Sequence, residues 1–307
     1  MPDARIPLPD NSSLLIDGDN YIIKQVIGYG GSCLAYSAWR TPNEYEQSIG
    51  MPPFFTVIKE LYPSELARHI TRCERGLLVH PTAKESFDFF RKRFERGAVR
   101  QASFFHENTN RSFSPARIAA ANNTLYTVVD SVQGNTLDHA RDGLDMEDVS
   151  EIMGSLCHSV KALHDDEKLH LDIKPSNIFL FNKDSGDSYR IALFDFDSII
   201  SVSDVASAII PFSDGWAPHE QVNQIRHKIS YATDIYSIGA VLYWLISGEK
   251  VSPRLLNDIK RQRFDFFEEL PILENKQSPR KELKELLPAM LKRDPNERAQ
   301  SLDIFDL

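Results

Sequence analysis

The chain has 307 residues, of which 42% are hydrophobic and 26% charged, and a formal charge of −9 at pH 7. That acidic balance excludes a sequence-independent grip on nucleic acid or an anionic membrane, while the length suffices for one large domain or two lobes with a sizeable core. Three widely spaced cysteines, Cys33, Cys73 and Cys157, fit a reducing compartment and argue against a disulfide framework or a zinc knuckle.

Residues 1–19 read as a polar lead-in. The opening MPDARIPLPD holds three prolines and two aspartates where a signal peptide needs an apolar run, so a cytoplasmic protein is expected. From Tyr21 the pattern becomes strand-like: YIIKQVIG, a glycine cluster, CLAYSAW, then FFTVIKELY from Phe54. Three prolines in 40–53 predict a loop, and 62–81 is irregular. Phe87, Phe90, Phe94, Ala98, Gln101 and Phe105 recur at near-helical spacing and predict one long amphipathic helix. TLYTVVD (124–130) reads as a further strand.

Beyond Gly134 the chain turns mainly helical, most clearly at 149–164 and 235–247. The most apolar stretch, Tyr236 to Ile246, is about half the ~20 residues of a membrane span and predicts a buried helix. The fold class expected is α+β: a strand-rich unit with one long helix over 20–132, then a helical unit over 133–307.

Chemistry-bearing residues follow in a fixed order. A glycine-rich turn, Gly28-Tyr29-Gly30-Gly31-Ser32-Cys33, lies between two strands, and Lys59 sits in the next strand. HLDIKPSNIF occupies 170–179, and Asp195-Phe196-Asp197 follows the strand IALF. Taken singly, each has a plainer reading as a hairpin turn, an exposed strand lysine or polar turn residues. The ordered set resembles the eukaryotic-like (bacterial Hanks-type) serine/threonine protein kinase family over roughly 21–305. The resemblance implies a two-lobed protein-kinase-like fold, with an antiparallel sheet and one long helix in the N-lobe and a larger helical C-lobe.

Phosphoryl transfer needs positioning and charge neutralisation more than covalent help. By the resemblance, Gly28, Gly30 and Gly31 let backbone N–H groups approach ATP phosphates, and Lys59 reaches the α/β-phosphates. Asp130 and Val132, where the lobes join, fall among the nucleotide-binding positions. Asp172 matches the catalytic base and Lys174 the lysine that steadies the γ-phosphate. Asn177 and Asp195 match the ligands of Mg2+, with Mn2+ as an alternative.

The segment from Ser213 to Glu220 aligns with the family's S-x-G-Y-A-A-P-E, which puts Ser213 at the catalytic site. Glu220 is expected to pair with Arg298, and Asp234 to brace the catalytic loop. The implied partner is a protein substrate with a Ser or Thr acceptor, with no nucleic acid and no membrane segment; the oligomeric state is left open.

The sequence departs from the family at four points. Cys33 replaces the third glycine, after Ser32 in place of the usual aromatic residue. Asp197 replaces the glycine that ends the metal-binding triplet. No glutamate of the long helix is in register with Lys59, leaving Glu95 as the choice over Asp88. Leu171 replaces the arginine before the catalytic Asp, so activation by loop phosphorylation through that arginine is not expected. Two other readings stand behind a protein kinase: a pseudokinase acting as a nucleotide-dependent binding module, and a small-molecule kinase of the aminoglycoside or choline type. The latter usually lacks the counterparts of Lys174 and of 213–220. The loosely clustered Cys157, His158, His164 and His170 suit no metal site, and the basic run Arg91-Lys92-Arg93 reads as a solvated helix face.

Overall fold

A computed structural model of the chain describes residues 3–108, 117–130, 134–181, 189–263, 280–300 and 302. The chain divides into two units, Met1–Val132 and Gln133–Leu307. No helix among the described residues is long and apolar enough to cross a membrane.

The first unit runs β1 (Ser13–Ile16), β2 (Asp19–Tyr29), β3 (Cys33–Arg40), α1 (Glu44–Ser48), β4 (Phe54–Leu61), β5 (Ile70–Cys73), β6 (Gly76–Val79), α2 (Lys84–Asn108), β7 (Arg117–Ala121) and β8 (Thr124–Asp130). Six of these strands form an antiparallel sheet in the order β1-β2-β3-β4-β8-β7. Alternation along the strands buries Leu34, Tyr36, Ile58, Tyr126 and Val128 on one face, in a core shared with Phe87 and Phe94 of α2. Each fully buried apolar side chain of this kind contributes about 1.5–3 kcal/mol. The opposite face carries Ala35, Lys59 and Thr127 as cross-strand neighbours.

One charged group sits inside that core. Glu60, fully buried, accepts Tyr36 Oη at 2.7 Å, Tyr126 Oη at 2.9 Å, and Arg72 Nη1 and Nη2 at 3.0 and 2.5 Å. Its two oxygens offer about four acceptor positions, and four donors occupy them. Burial first, and then the Glu60 charge, push the Tyr36 and Tyr126 hydroxyls well above the usual phenol range.

Three stretches differ from their sequence reading. The loop expected over 40–53 contains α1, because Asn43 and Glu46 form a capping box: each side chain accepts the other's backbone N–H at 2.9 Å. The irregular 62–81 contains the β5–β6 hairpin, whose two-residue turn gave no Asn-Gly signal. Its Gly76 has φ +107°, and a Cβ there would lie 1.9 Å from Asn122 O, so only glycine fits. Within the lead-in, Ser13–Ile16 pairs with β2 as an edge strand.

The second unit contains β9 (Gly134–Thr136), α3 (Leu137–Ala140), α4 (Met146–Asp165), β10 (Lys168–Leu169), β11 (Ile178–Phe181), β12 (Ile191–Leu193), β13 (Ile200–Ser201), α5 (His219–Val222), α6 (Tyr231–Ser247), α7 (Pro253–Lys260) and α8 (Arg280–Met290). The Asp145 carboxylate caps α4, accepting from Glu147 N and Asp148 N at 2.8 and 3.0 Å. Helix α6 is buried on nearly all sides, as its unbroken apolar run requires, and ends at Gly248 with φ +79°. Arg298 and Glu220 meet in the interior at 2.7 Å, and Arg298 also donates to Ala232 O at 2.6 Å.

Candidate active site

The short strands β10 to β13 hold the loop 170–177, and a buried acid beneath it sets its backbone. Asp234, in the first turn of α6, accepts His170 N and Leu171 N at 2.8 Å each and meets His164 Nε2 at 3.0 Å. Burial pushes the Asp234 carboxyl up. The hydrogen bonds from His164 and from the Leu171 N–H outweigh that push, so the group lies below the usual carboxylate range. These bonds hold Leu171 at φ +62°, a left-handed conformation a branched side chain rarely adopts.

His170 is wholly enclosed. Its Nε2 lies 3.2 Å from Phe194 O and its Nδ1 lies 3.3 Å from Asp172 N, which assigns the neutral tautomer with the proton on Nε2. Burial moves the imidazole below its ordinary value, against the opposing pull of Asp234, Asp172 and Asp195. Phe196 packs edge-on against the ring with centroids 5.9 Å apart.

The structure brings Asp172, Lys174, Asn177 and Ser213 together. One Asp172 oxygen accepts the Ser213 hydroxyl at 2.6 Å; the other accepts Lys174 Nζ at 2.7 Å and Asn177 Nδ2 at 3.0 Å. Lys174 Nζ also lies 2.9 Å from Ser213 Oγ. The carboxylate has about four acceptor positions and uses three, leaving one for a further hydroxyl.

The Asn177 amide sends N–H groups to Asp172 O at 2.8 Å and to the Asp172 carboxylate, which leaves its Oδ1 as an acceptor. Phe194 N donates to Asn177 O at 2.8 Å and so ties the residue before Asp195 to this loop. The Asp195 carboxylate receives no hydrogen bond from a described residue. An amide oxygen and a carboxylate are a hard-oxygen donor pair that fits Mg2+, which keeps waters and phosphate oxygens as its remaining ligands. No cluster of three or more His, Cys, Asp or Glu able to hold a metal occurs among the described residues.

Asp195 itself has φ +66°, whereas Asp197 lies in a right-handed turn, Phe196–Ser198. The backbone there does not demand glycine, which explains how an aspartate is accommodated. Ser198 is buried and donates to Asp195 O at 3.1 Å.

In the first unit, Lys59 is half-buried on the sheet face of Ala35 and Thr127; Gly28 and Tyr29 end β2, and residues 30–32 turn into β3 at Cys33. Asp130 ends β8 opposite Thr56; Val132 lies outside the described residues. The pair expected between Glu95 and Lys59 is corrected. Phe94 points into the core, and a step of ~100° along α2 turns Glu95 to solvent, where it makes no ion pair with Lys59. Asp88 is also exposed and lies 3.7 Å from Arg91.

Two residues at the site carried no sequence signal. Gln221, fully buried, sends its two amide hydrogens to Leu171 O and Pro211 O at 2.6 Å each. His164 braces Asp234 from α4. A glutamine after Glu220 and a histidine near a helix end fit no spacing rule.

A protein kinase domain family model matches residues 98–306. The chain belongs to the protein kinase domain family. Its glycine-rich turn and Lys59 precede the matched span. Relatives of the kinase domain include "Probable serine/threonine-protein kinase PknB" of Corynebacterium glutamicum, 29% identical over 209 residues covering 66% of this chain and 30% of that protein. Serine/threonine-protein kinase PknF of Mycobacterium tuberculosis is 28% identical, with coverage of 63% and 43%. The chain thus spans less than half the length of these relatives. The solved structure of the PpkA-294 apo form has the same fold, with a TM-score of 0.67 at 22% identity over 97% of this chain and 98% of that one.

Proposed function

We propose that this kinase domain transfers the γ-phosphate of MgATP to serine or threonine hydroxyls of protein substrates in the cytoplasm. The observation that carries this reading is the Asp172 carboxylate, held by Lys174 and Asn177 with a serine hydroxyl already at 2.6 Å. A carboxylate so placed accepts the proton of an attacking hydroxyl and aims its oxygen. Lys174 steadies the transferring phosphoryl group, Asn177 and Asp195 hold Mg2+, and Gly28, Gly30, Gly31 and Lys59 receive the nucleotide phosphates.

We further propose that the domain is competent without phosphate on residues 198–213. Leu171 is buried with Val205 and Ile210 of that segment in one apolar cluster. Gln221 bridges Leu171 O and Pro211 O, and Arg226 donates to Ala206 O at 2.5 Å. Apolar packing, the Gln221 amide bridge and the Arg226–carbonyl bond thus support the segment without a phosphate, where an arginine–phosphate pair would need prior modification.

The test is incubation with labelled ATP, Mg2+ and casein, comparing the wild type, its phosphatase-treated form and Asp172→Asn. Label transfer that is equal in the first two and lost in the third is expected. Transfer indifferent to Asp172→Asn removes the kinase reading; MgATP binding with no transfer points to a binding module. A tenfold drop on phosphatase treatment, about 1.4 kcal/mol of transition-state stabilisation, removes the second proposal alone.

A further inference from the structure

The segment ahead of β1 is built into the sheet beside the glycine-rich turn. Arg5 is 4% exposed. Its Nη1 donates to Cys33 O at 3.1 Å and Tyr62 O at 2.7 Å. Its Nη2 and Nε meet the Asp3 carboxylate at 2.5 and 2.9 Å. The guanidinium lies 5.9 Å from the ring centre of Tyr29, the aromatic residue within the turn. Further along, Ile6 O accepts Arg72 Nε at 2.6 Å and Leu8 N donates to the Tyr36 hydroxyl at 3.2 Å.

Arg5 completes a set of ties on the carbonyls of the turn. Gly31 O accepts Ser64 N at 2.9 Å and Ser32 O accepts Tyr62 N at 3.0 Å. Cys33 O accepts Gly30 N at 3.0 Å as well as Arg5. A trans peptide is planar, with its N–H opposed to its C=O. Engaging the Gly31 and Ser32 carbonyls therefore turns the N–H groups of Ser32 and Cys33 the other way. Arg5 holds the closing peptide plane and the two anchoring strands together at Cys33 and Tyr62. Backbone N–H groups fixed in direction are what a phosphate-binding turn requires.

We infer that Arg5 is a positioning residue for phosphate binding, acting through the peptide planes of residues 30–33 and touching no nucleotide itself. The inference rests on the kinase reading for the identity of the ligand. A merely structural clamp would stabilise the fold without distinguishing ligands, and that difference is measurable.

The test uses the full chain as wild type, Arg5→Ala and Arg5→Lys. The lysine variant keeps a buried charge but cannot span both carbonyls and Asp3, and it serves if the alanine variant does not fold. Calorimetric titration with MgATP and with adenosine is read beside hydrogen exchange of the Gly30 amide. Both variants should bind MgATP about tenfold more weakly and adenosine within about twofold of wild type, because adenosine has no phosphates for the turn to hold. The Gly30 amide should exchange faster. Equal weakening toward both ligands, or unchanged MgATP affinity, overturns the inference while leaving the kinase reading intact. A wild type that binds neither ligand overturns the kinase reading and the inference with it.

Discussion

Replacing Asp234 by Asn tests the buried support of the catalytic loop. The carboxylate offers one oxygen to Leu171 N and the other to His170 N and His164 Nε2. Asparagine keeps a single oxygen. Whichever way the amide is turned, its NH2 confronts a backbone N–H that has lost its acceptor. A hydrogen bond to a charged group is worth roughly 1.5–3 kcal/mol, and the remaining bonds weaken on becoming neutral. Removing a buried charge gives some of this back. The net loss expected is about 2–4 kcal/mol, a large share of the 5–15 kcal/mol by which a typical domain is stable. In urea denaturation with a slope near 3 kcal/mol/M, the midpoint should fall by about 1 M. The loss should also release Leu171 from its left-handed backbone, lowering turnover beyond what the stability change explains. A midpoint within about 0.2 M of wild type would refute the claim that Asp234 holds this loop.

Three further outcomes follow from the site. His170 is neutral and resists protonation when folded, so the unfolded chain takes up a proton that the native one refuses. Its contribution is fully present above the ordinary value of 6.5 and is lost as pH falls below it, at up to about 1.4 kcal/mol per pH unit. Urea midpoints from pH 8 to 5 should fall less steeply in His170→Gln; parallel curves would contradict this. Gln221→Leu strips the donor from Leu171 O and Pro211 O and should speed hydrogen exchange and subtilisin cleavage within 205–212, so unchanged cleavage would mean the bridge does not hold the segment. Asp195→Asn should reduce the Mg2+-dependent part of the thermal shift with ATP, and a full shift would show that Asp195 is no ligand.

Much of this was legible in the sequence because the site is local. Asp172, Lys174 and Asn177 lie within six residues, and their order relative to Gly28, Lys59 and Asp195 carried the family resemblance. The long helix and the buried α6 followed from apolar periodicity, which one face and all-round burial impose directly. What escaped depends on contacts between distant positions. Arg5 reads as a charge in a polar lead-in, since nothing local shows that Cys33 and Tyr62 supply its acceptors. Nothing local marks Glu60 for burial, because its partners Tyr36, Tyr126 and Arg72 come from three other strands. Glu95 lies at the edge of the apolar stripe, where a step of one residue decides between core and solvent. The capping box of α1 was present in the letters Asn43 and Glu46 but was masked by the neighbouring prolines.

The four-donor cluster around Glu60 has a consequence for its neighbour. Side chains alternate across a strand, so shifting β4 by one residue against β3 and β8 would exchange the faces of Lys59 and Glu60. The ammonium would enter the apolar core opposite Arg72, and the carboxylate would leave two tyrosine hydroxyls and a guanidinium without their acceptor. A slip would break four hydrogen bonds to one carboxylate in addition to turning out the apolar side chains, so this arrangement accepts one alignment only. The address of Lys59 is thus written on the reverse side of the sheet, by residues of the buried core. Substitutions of Tyr36, Arg72 or Tyr126 can therefore displace Lys59 by mis-threading one strand while leaving every residue of the loop 170–177 in place.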